Sequence, residues 1–401
     1  MLDQFRLVYY IIPFGITPAE SAIRKTGFSL IFAPTFSITM STPKFYTLSV
    51  SDIRKETGNC VSVALDIPEA LKNDFKYEAG QYITFKKVID GEELRRSYSL
   101  CSSPDDQEFR VAIKKVLGGK FSGYANHDLK VGDELEVMTP MGHFTTDINP
   151  DECKHYMAFA AGSGITPMLS LIKTILKRSP QSTFTLVYGN QNFYSIIFRE
   201  EIEALKNRYL NRLQVFHVLS RERMETDLNN GRINAQKCDQ LFAKLIDLKQ
   251  MDQFFMCGPE EMILSVRDFL LDKGVEKEKI KFELFHTAGA AKKQNNEVGQ
   301  GEEASNVKMS MVTIKADDRS VEIPLAYNGM SILDAALKAG ADLPFACKGG
   351  VCCTCRAKVI EGKVNMEVNY ALETDEVEAG FVLTCQAHPL SEKVVIDFDA
   401  R

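Results

Sequence analysis

The sequence predicts a multidomain chain: an antiparallel β-barrel, then an α/β unit on a parallel sheet, then a smaller unit organised around cysteines. Three observations predict it. Short alternating apolar–polar runs separated by turn signals recur from about Phe45 to Pro150. From Asp151 to about His286, strand-like and helix-like runs alternate. Beyond Lys308, Cys347, Cys352 and Cys355 take a C-x4-C-x2-C spacing, with Cys385 a long way downstream. A chain of 401 residues has room for two or three domains with real cores. The net charge of −6 supplies no basic patch for nucleic acid. No apolar stretch approaches the ~18 residues of a membrane-spanning helix, so stable membrane insertion is not expected.

The first forty residues read differently from the rest. Leu7 to Ile16 is apolar but broken by Pro13, and Asp3 precedes the early Arg6, so neither the positive leader nor the cleavage site of a secretory signal is clear. We read residues 1–40 as an extension outside the native protein, which then opens at Met40-Ser41-Thr42-Pro43. A weak membrane or partner anchor is the alternative.

The barrel is predicted over 43–150. Its strand-like runs are Phe45 to Val50, Cys60 to Leu65, Gln81 to Phe85, Phe109 to Lys115 and Glu134 to Met138. Asp90-Gly91 and Val131-Gly132-Asp133 supply turns between them. At the start of one strand stands Arg96-Ser97-Tyr98-Ser99. Arginine clamps a phosphate bidentately, tyrosine lies against a flavin ring, and serine bonds the ring or ribityl chain. Gly118-Gly119-Lys120-Phe121-Ser122 reads as a loop opening a helix, with backbone donors for a pyrophosphate. An ordinary strand and a plain turn would explain either motif alone; together they point to a flavin site.

The α/β unit is predicted over 151–286. The strand Tyr156 to Ala161 runs into Gly162-Ser163-Gly164-Ile165-Thr166-Pro167 and a helix from Met168 to Leu176. Glycines there allow close backbone approach, and the helix N-terminus favours a pyrophosphate. Later strands end in Gly189-Asn190, in Ser220-Arg221 and in Cys257-Gly258-Pro259. Carboxyl ends of strands are where such sheets bind ligands, which puts Cys257 beside a nicotinamide. The competing reading of Cys257 is a small buried hydrophobe. Thr287 to Val307, rich in Gly, Ala, Lys, Asn and Glu and free of aromatics, has the composition of a flexible linker.

The cysteine unit is predicted over 308–401. The spacing of Cys347, Cys352, Cys355 and Cys385 is the ligand pattern of a plant-type [2Fe–2S] cluster. Gly349 and Gly350 let the backbone wrap close and present N–H donors. Zinc is the rival, because C-x2-C is also a zinc half-site, but zinc sites more often pair two short knuckles and Cys385 stands alone. The other six cysteines, Cys60, Cys101, Cys153, Cys238, Cys257 and Cys353, form no even framework. A reducing cytoplasm fits that usage.

With these motifs in place, residues 43–401 resemble the ferredoxin–NADP reductase superfamily fused to a C-terminal plant-type ferredoxin. The resemblance implies an FAD-binding antiparallel β-barrel, an NAD(P)-binding α/β parallel-sheet domain and an α+β β-grasp ferredoxin domain. It assigns Arg96, Tyr98 and Ser99 to the flavin and Gly119 and Ser122 to its phosphate loop. Gly162, Gly164, Thr166 and Pro167 fall to the dinucleotide turn, with Cys257, Gly258 and Pro259 beside the nicotinamide. Phe282-Glu283-Leu284-Phe285 resembles the E-x-F ending of such modules. Cys347, Cys352, Cys355 and Cys385 would hold the cluster, and Cys353 stands where simple ferredoxins carry Ser or Ala. FAD is expected over FMN. Arg221 after Ser220 favours NADPH, while Gln191, where relatives carry Arg, leaves NADH as the alternative.

The order flavin, dinucleotide, ferredoxin is that of oxygenase reductase components. Cys347 to Val359 and Val382 to Asp397 resemble those serving a multisubunit di-iron epoxidase. The resemblance therefore implies hydride transfer from NAD(P)H to flavin and single-electron release through a cluster near about −400 mV. A Rieske oxygenase, a desaturase or a hybrid-cluster protein is an alternative acceptor, and a redox-sensing cofactor-binding module is the non-enzymatic alternative. From Lys308 to Arg401 there are fourteen acidic and ten basic residues, a mild acidity suited to a basic partner patch.

Overall fold

In the computed structural model the described residues are 44–285, 308–317 and 319–400. The expectations for residues 1–40, for Met40 to Pro43 and for the linker 287–307 fall outside them.

The first sheet holds β1 (Phe45–Thr57), β2 (Cys60–Asp66), β3 (Tyr82–Ile89), β4 (Glu92–Ser99), β5 (Phe109–Lys114) and, after helix α1 (Lys120–His127), β6 (Glu134–Met141). The order is β4-β3-β6-β1-β2-β5 with every pair antiparallel. The two edges meet: Leu100 bridges Val111, and Cys101 N–H donates to Arg110 O at 2.9 Å, which closes the sheet into a barrel. Leu48, Ile83, Phe85, Leu100, Ile113 and Val137 fill its interior. The Asp90-Gly91 turn takes φ of 52° and 77°, the two left-handed residues of a tight hairpin turn whose twist matches the strands.

β1 is much longer than the Phe45 to Val50 run. It continues through the mostly polar residues 51–57, with register shifts at Val50/Asp52 and Lys55/Thr57. The partner explains this. Arg110 of β5 is buried and bonds Asp52, Glu108 and Ser62, so polar residues of three strands satisfy one another. That hydrogen bond from Arg110 also holds the Asp52 carboxyl below its ordinary range.

The second sheet is wholly parallel. Its elements are β7 (His155–Ala161), α2 (Ile165–Arg178), β8 (Thr183–Asn190), α3 (Arg199–Arg208), β9 (Leu213–Leu219), α4 (Ala235–Lys244), β10 (Gln253–Gly258), α5 (Glu260–Asp272) and β11 (Ile280–Leu284). The order β11-β10-β7-β8-β9 reverses between β7 and β10, so a crevice opens at their carboxyl ends. Helix α2 begins three residues before the expected Met168. Thr166 and Pro167 lie in its first turn, where a missing N–H costs nothing.

The third unit contains β12 (Met309–Ala316), β13 (Arg319–Ala326), α6 (Ile332–Lys338), β14 (Arg356–Glu361), β15 (Val364–Met366), α7 (Thr374–Glu378), β16 (Phe381–Leu383), β17 (Ala387–Pro389) and β18 (Lys393–Asp397). Its main sheet, β13-β12-β18-β14-β16, is antiparallel except for the central parallel pair β12–β18, and β15–β17 forms a separate ribbon. Ser331 caps α6 by accepting the Asp334 N–H at 3.2 Å, and Ile332, Leu333 and Ala336 bury its inner face. Between α6 and β14 runs the loop that carries three of the four cysteines.

Candidate flavin, dinucleotide and cluster sites

The four cysteines gather as two pairs. Cys352 and Cys347 lie Sγ to Sγ at 3.1 Å, and Cys355 shares a hydrogen bond with Cys385. Lys348 and Gly350 turn the loop through left-handed φ of 52° and 72°, and a Cβ on Gly350 would stand 2.8 Å from Val368 O. The turn aims backbone N–H groups at sulfur: Gly349 donates to Cys347 Sγ at 3.3 Å, and Gly350 N–H supports Cys385. The Cys352 thiol and these donors lower Cys347 to about 6, while Cys352 is pushed well above its ordinary value. In the second pair Cys385 is lowered by the Cys355 thiol, and Cys355 is raised.

Two thiol pairs, each backed by N–H donors, suit a two-iron cluster with two thiolates per iron. A single zinc would need all four thiols around one ion. Cys353 turns the other way, out of the loop, and meets Tyr82 Oη at 3.3 Å.

In the barrel, the Tyr98 ring stacks on Phe121 at 5.7 Å and lies tilted against Phe85 at 5.9 Å. Arg96 is exposed and donates to Arg95 O at 2.7 Å. Gly119 precedes α1, but the buried Ser122 hydroxyl is occupied, accepting Val116 N–H at 3.1 Å and bonding Gly119 O at 3.3 Å. Ser122 thus ties the loop to the helix, leaving backbone N–H groups to meet a phosphate.

At the dinucleotide turn, Gly162 has φ of 54° and its carbonyl accepts from Tyr188 Oη at 3.0 Å. A Cβ on Gly164 would stand 2.0 Å from Cys257 O, so only glycine lets α2 start this close to the end of β10. Thr166 Oγ1 donates to Ser163 O at 3.1 Å, and Pro167 is buried. Gly258 packs against Met262 and Ala161, and Pro259 precedes α5. Ser220 and Arg221 are exposed at the end of β9, held by backbone bonds to Asn190 O and Gln191 O. Beside them, a cavity of about 260 Å³ is lined by Phe193, Arg199, His217, Leu219 and Met224 among others.

Cys257 does not line an open crevice. Its side chain is fully buried, and burial followed by the neighbouring Glu283 raises its thiol well above the ordinary value. Glu283 lies opposite it in the β10–β11 register and receives a hydrogen bond from Ser99 Oγ at 3.0 Å. Burial raises the Glu283 carboxyl to about 7, against the lowering pull of Ser99. The barrel and the parallel sheet thus join through a carboxyl poised to hold or release a proton near neutrality. In the sequence Glu283 stands out only as part of a module ending, and Lys114 does not stand out at all, although its Nζ lies 3.1 Å from where a Gly162 Cβ would be. The available signal for Lys114 is a lysine just ahead of an exposed loop, which is too common to single out.

Comparison with known proteins agrees with this division of labour. The oxidoreductase FAD-binding domain model matches residues 47–146, the oxidoreductase NAD-binding domain model 159–268, and the 2Fe-2S iron-sulfur cluster binding domain model 314–390. The chain belongs to the ferredoxin–NADP reductase superfamily of NAD(P)H-dependent flavoprotein oxidoreductases, in the branch with a C-terminal [2Fe–2S] domain. It is 44% identical over 358 residues to one of the subunits of 1,2-phenylacetyl-CoA epoxidase from Escherichia coli K12, covering 89% of this chain and 98% of that one. It is 31% identical to the ferredoxin reductase component of 3-ketosteroid-9-alpha-monooxygenase from Rhodococcus rhodochrous, covering 88% and 96%. Phthalate dioxygenase reductase shares the fold, with a TM-score of 0.54 at 23% identity, over 89% of this chain and all of that one.

Proposed function

We propose that this chain is the reductase component of an oxygenase, taking electrons from NADPH and delivering them singly, and that its acceptor is a multisubunit di-iron epoxidase acting on phenylacetyl-CoA. The observation that carries the reading is the joining of three units: a Tyr98-lined barrel, a glycine turn at a parallel-sheet switch point, and two thiol pairs. The near full-length likeness to a phenylacetyl-CoA epoxidase component supports the choice of acceptor.

When bound, the nicotinamide supplies a hydride, FAD divides its two electrons, and the [2Fe–2S] cluster relays them singly. The chain's own residues do the placing. Arg96, Tyr98 and the Gly119 loop hold the flavin, with Ser122 bracing that loop. The Gly162–Pro167 turn and the N-terminus of α2 take the dinucleotide phosphates, with the Lys114 ammonium beside them. Arg221 offers a cation for a 2′-phosphate, which favours NADPH. Ser99 and Glu283 hold a proton where the two domains meet, and Cys257 with Gly258 and Pro259 shapes the wall behind them. Cys347, Cys352, Cys355 and Cys385 hold the irons. We place the domain limits at 43–150, 151–286 and 308–401, and the compartment as the cytoplasm. All ten cysteines are free, and no helix among the described residues is long and apolar enough to cross a membrane.

The test is capture of the partner from source cells, followed by NADPH oxidation with the captured protein. A di-iron oxygenase whose NADPH consumption depends on phenylacetyl-CoA is the expected result. A different iron protein, or consumption indifferent to that thioester, overturns the acceptor assignment.

A further inference from the structure

We infer that Arg95 and Tyr82 are positioning residues that seat the cysteine loop on the barrel and thereby set the rate of electron passage from flavin to cluster. The inference rests on the electron route proposed above. Strand β4 works on both faces. Side chains alternate along a strand, so Arg96 and Tyr98 share one face and Arg95 takes the other. Arg95 is only 6% exposed, and a guanidinium so enclosed needs partners. Its own domain supplies Glu93 at 2.9 Å and the Phe45 ring at 5.3 Å. The ferredoxin unit supplies the rest: Leu343 O at 3.2 Å, Asp342 Oδ1 at 3.4 Å, and the Phe345 ring at 4.3 Å under the guanidinium. These three residues lie just ahead of Cys347.

Tyr82 grips the other end of the loop. It is 4% exposed on β3, with Ser99 opposite it in the β3–β4 register. Its hydroxyl meets Cys353 Sγ at 3.3 Å and Thr354 Oγ1 at 3.1 Å, the two residues between ligands Cys352 and Cys355. Tyr82, Ala346, Cys352 and Cys353 form a buried cluster of their own, and a Cβ on Gly142 would stand 3.1 Å from the Tyr82 ring. Of the other contacts to the ferredoxin unit, the Tyr370–Glu260 and Lys277–Thr374 bonds are exposed and hold less, and His143 stands 3.6 Å from Glu376. The cysteine run is thus fixed at both ends, to β4, which carries the flavin motif, and to β3 paired beside it. Hydride from NAD(P)H supplies two electrons. Two successive crossings each oxidise the flavin by one electron and reduce the cluster by one, the acceptor clears each electron, and no bond to Arg95 or Tyr82 forms or breaks.

The experiment uses the holoprotein with FAD and cluster loaded, mixed with NADPH in stopped flow, for wild type, Arg95→Met, Tyr82→Phe and Asp342→Asn. Flavin reduction should stay within about twofold of wild type, while the flavin-to-cluster phase slows about tenfold in Arg95→Met, equivalent to ~1.4 kcal/mol of activation free energy. Asp342→Asn, a change on the half-exposed opposite side of the contact, should slow the same phase by a smaller factor. Hydrogen exchange of the 341–346 amides should rise alongside, a readout independent of turnover. An unchanged cluster phase in both Arg95→Met and Asp342→Asn overturns the inference, and Asp342→Asn decides alone if Arg95→Met does not fold. A wild-type cluster that never reduces after the flavin overturns the proposed function instead.

Discussion

Glu283 keeps its proton to about pH 7 because burial opposes its charge, and Ser99 works against burial by donating to the carboxylate. The folded chain therefore binds this proton more tightly than the unfolded chain, whose carboxyl titrates at the ordinary 4.5. The stability Glu283 contributes is full below that ordinary value and is lost as pH rises through about 7. Glu283→Gln should flatten this decline in denaturant titrations across the window and remove a matching inflection from the pH profile of flavin reduction. Ser99→Ala, which deletes the opposing bond, should move the inflection upward; a downward move would show that Ser99 does not stabilise the carboxylate. At the cluster, Cys355→Ser should abolish the visible cluster bands while leaving flavin reduction by NADPH intact. Survival of both bands and electron delivery would remove Cys355 from the ligand set. All of these residue types were visible in the sequence, but the Ser99–Glu283 partnership spans 184 positions and was not.

At the scale of elements, the start of α2 is the most constrained. A Cβ at Gly164 would meet Cys257 O at 2.0 Å, backbone against backbone, so the helix must retreat. Gly164→Ala should cost about 1–3 kcal/mol in stability. It should also weaken NADPH binding more than FAD binding, as calorimetric titration of each ligand would show; equal losses would place the damage in general unfolding. The glycine turn was legible because strand, glycines and helix are consecutive. The length of β1 was not, because residues 51–57 are mostly polar and partners on other strands, Arg110 and Ser62 among them, make extended pairing favourable there. The start of α2 was less legible because Thr-Pro suggests a boundary, whereas its position in a first turn satisfies it.

Across the whole molecule, the described residues build three large sheets of different kinds. The ferredoxin unit carries the acidic excess of its fourteen acidic over ten basic residues, so delivery to a basic acceptor should slow as ionic strength rises past the ~0.1 M range where surface charges are screened. Cytochrome or oxygenase reduction measured against salt checks this; a rate indifferent to salt would mean that apolar contact governs docking. Flavin reduction by NADPH, measured in the same salt series, serves as the internal control.

The sequence by itself determined whatever depends on consecutive residues: the cysteine spacing, the strand–glycine–helix turn, the Asp90-Gly91 hairpin and the order of the three units. These are local because ligand reach, tight turns and side-chain periodicity act within a few residues. Only the tertiary structure decided how those pieces face one another. It put Glu283 against Ser99, enclosed Cys257, occupied the Ser122 hydroxyl within its own loop, and brought Arg95 and Tyr82 of the barrel onto residues 342–354. The Ser99, Arg95 and Tyr82 pairings link residues from 184 to 272 positions apart, and they follow from which buried donors and charges must be satisfied once the chain has closed.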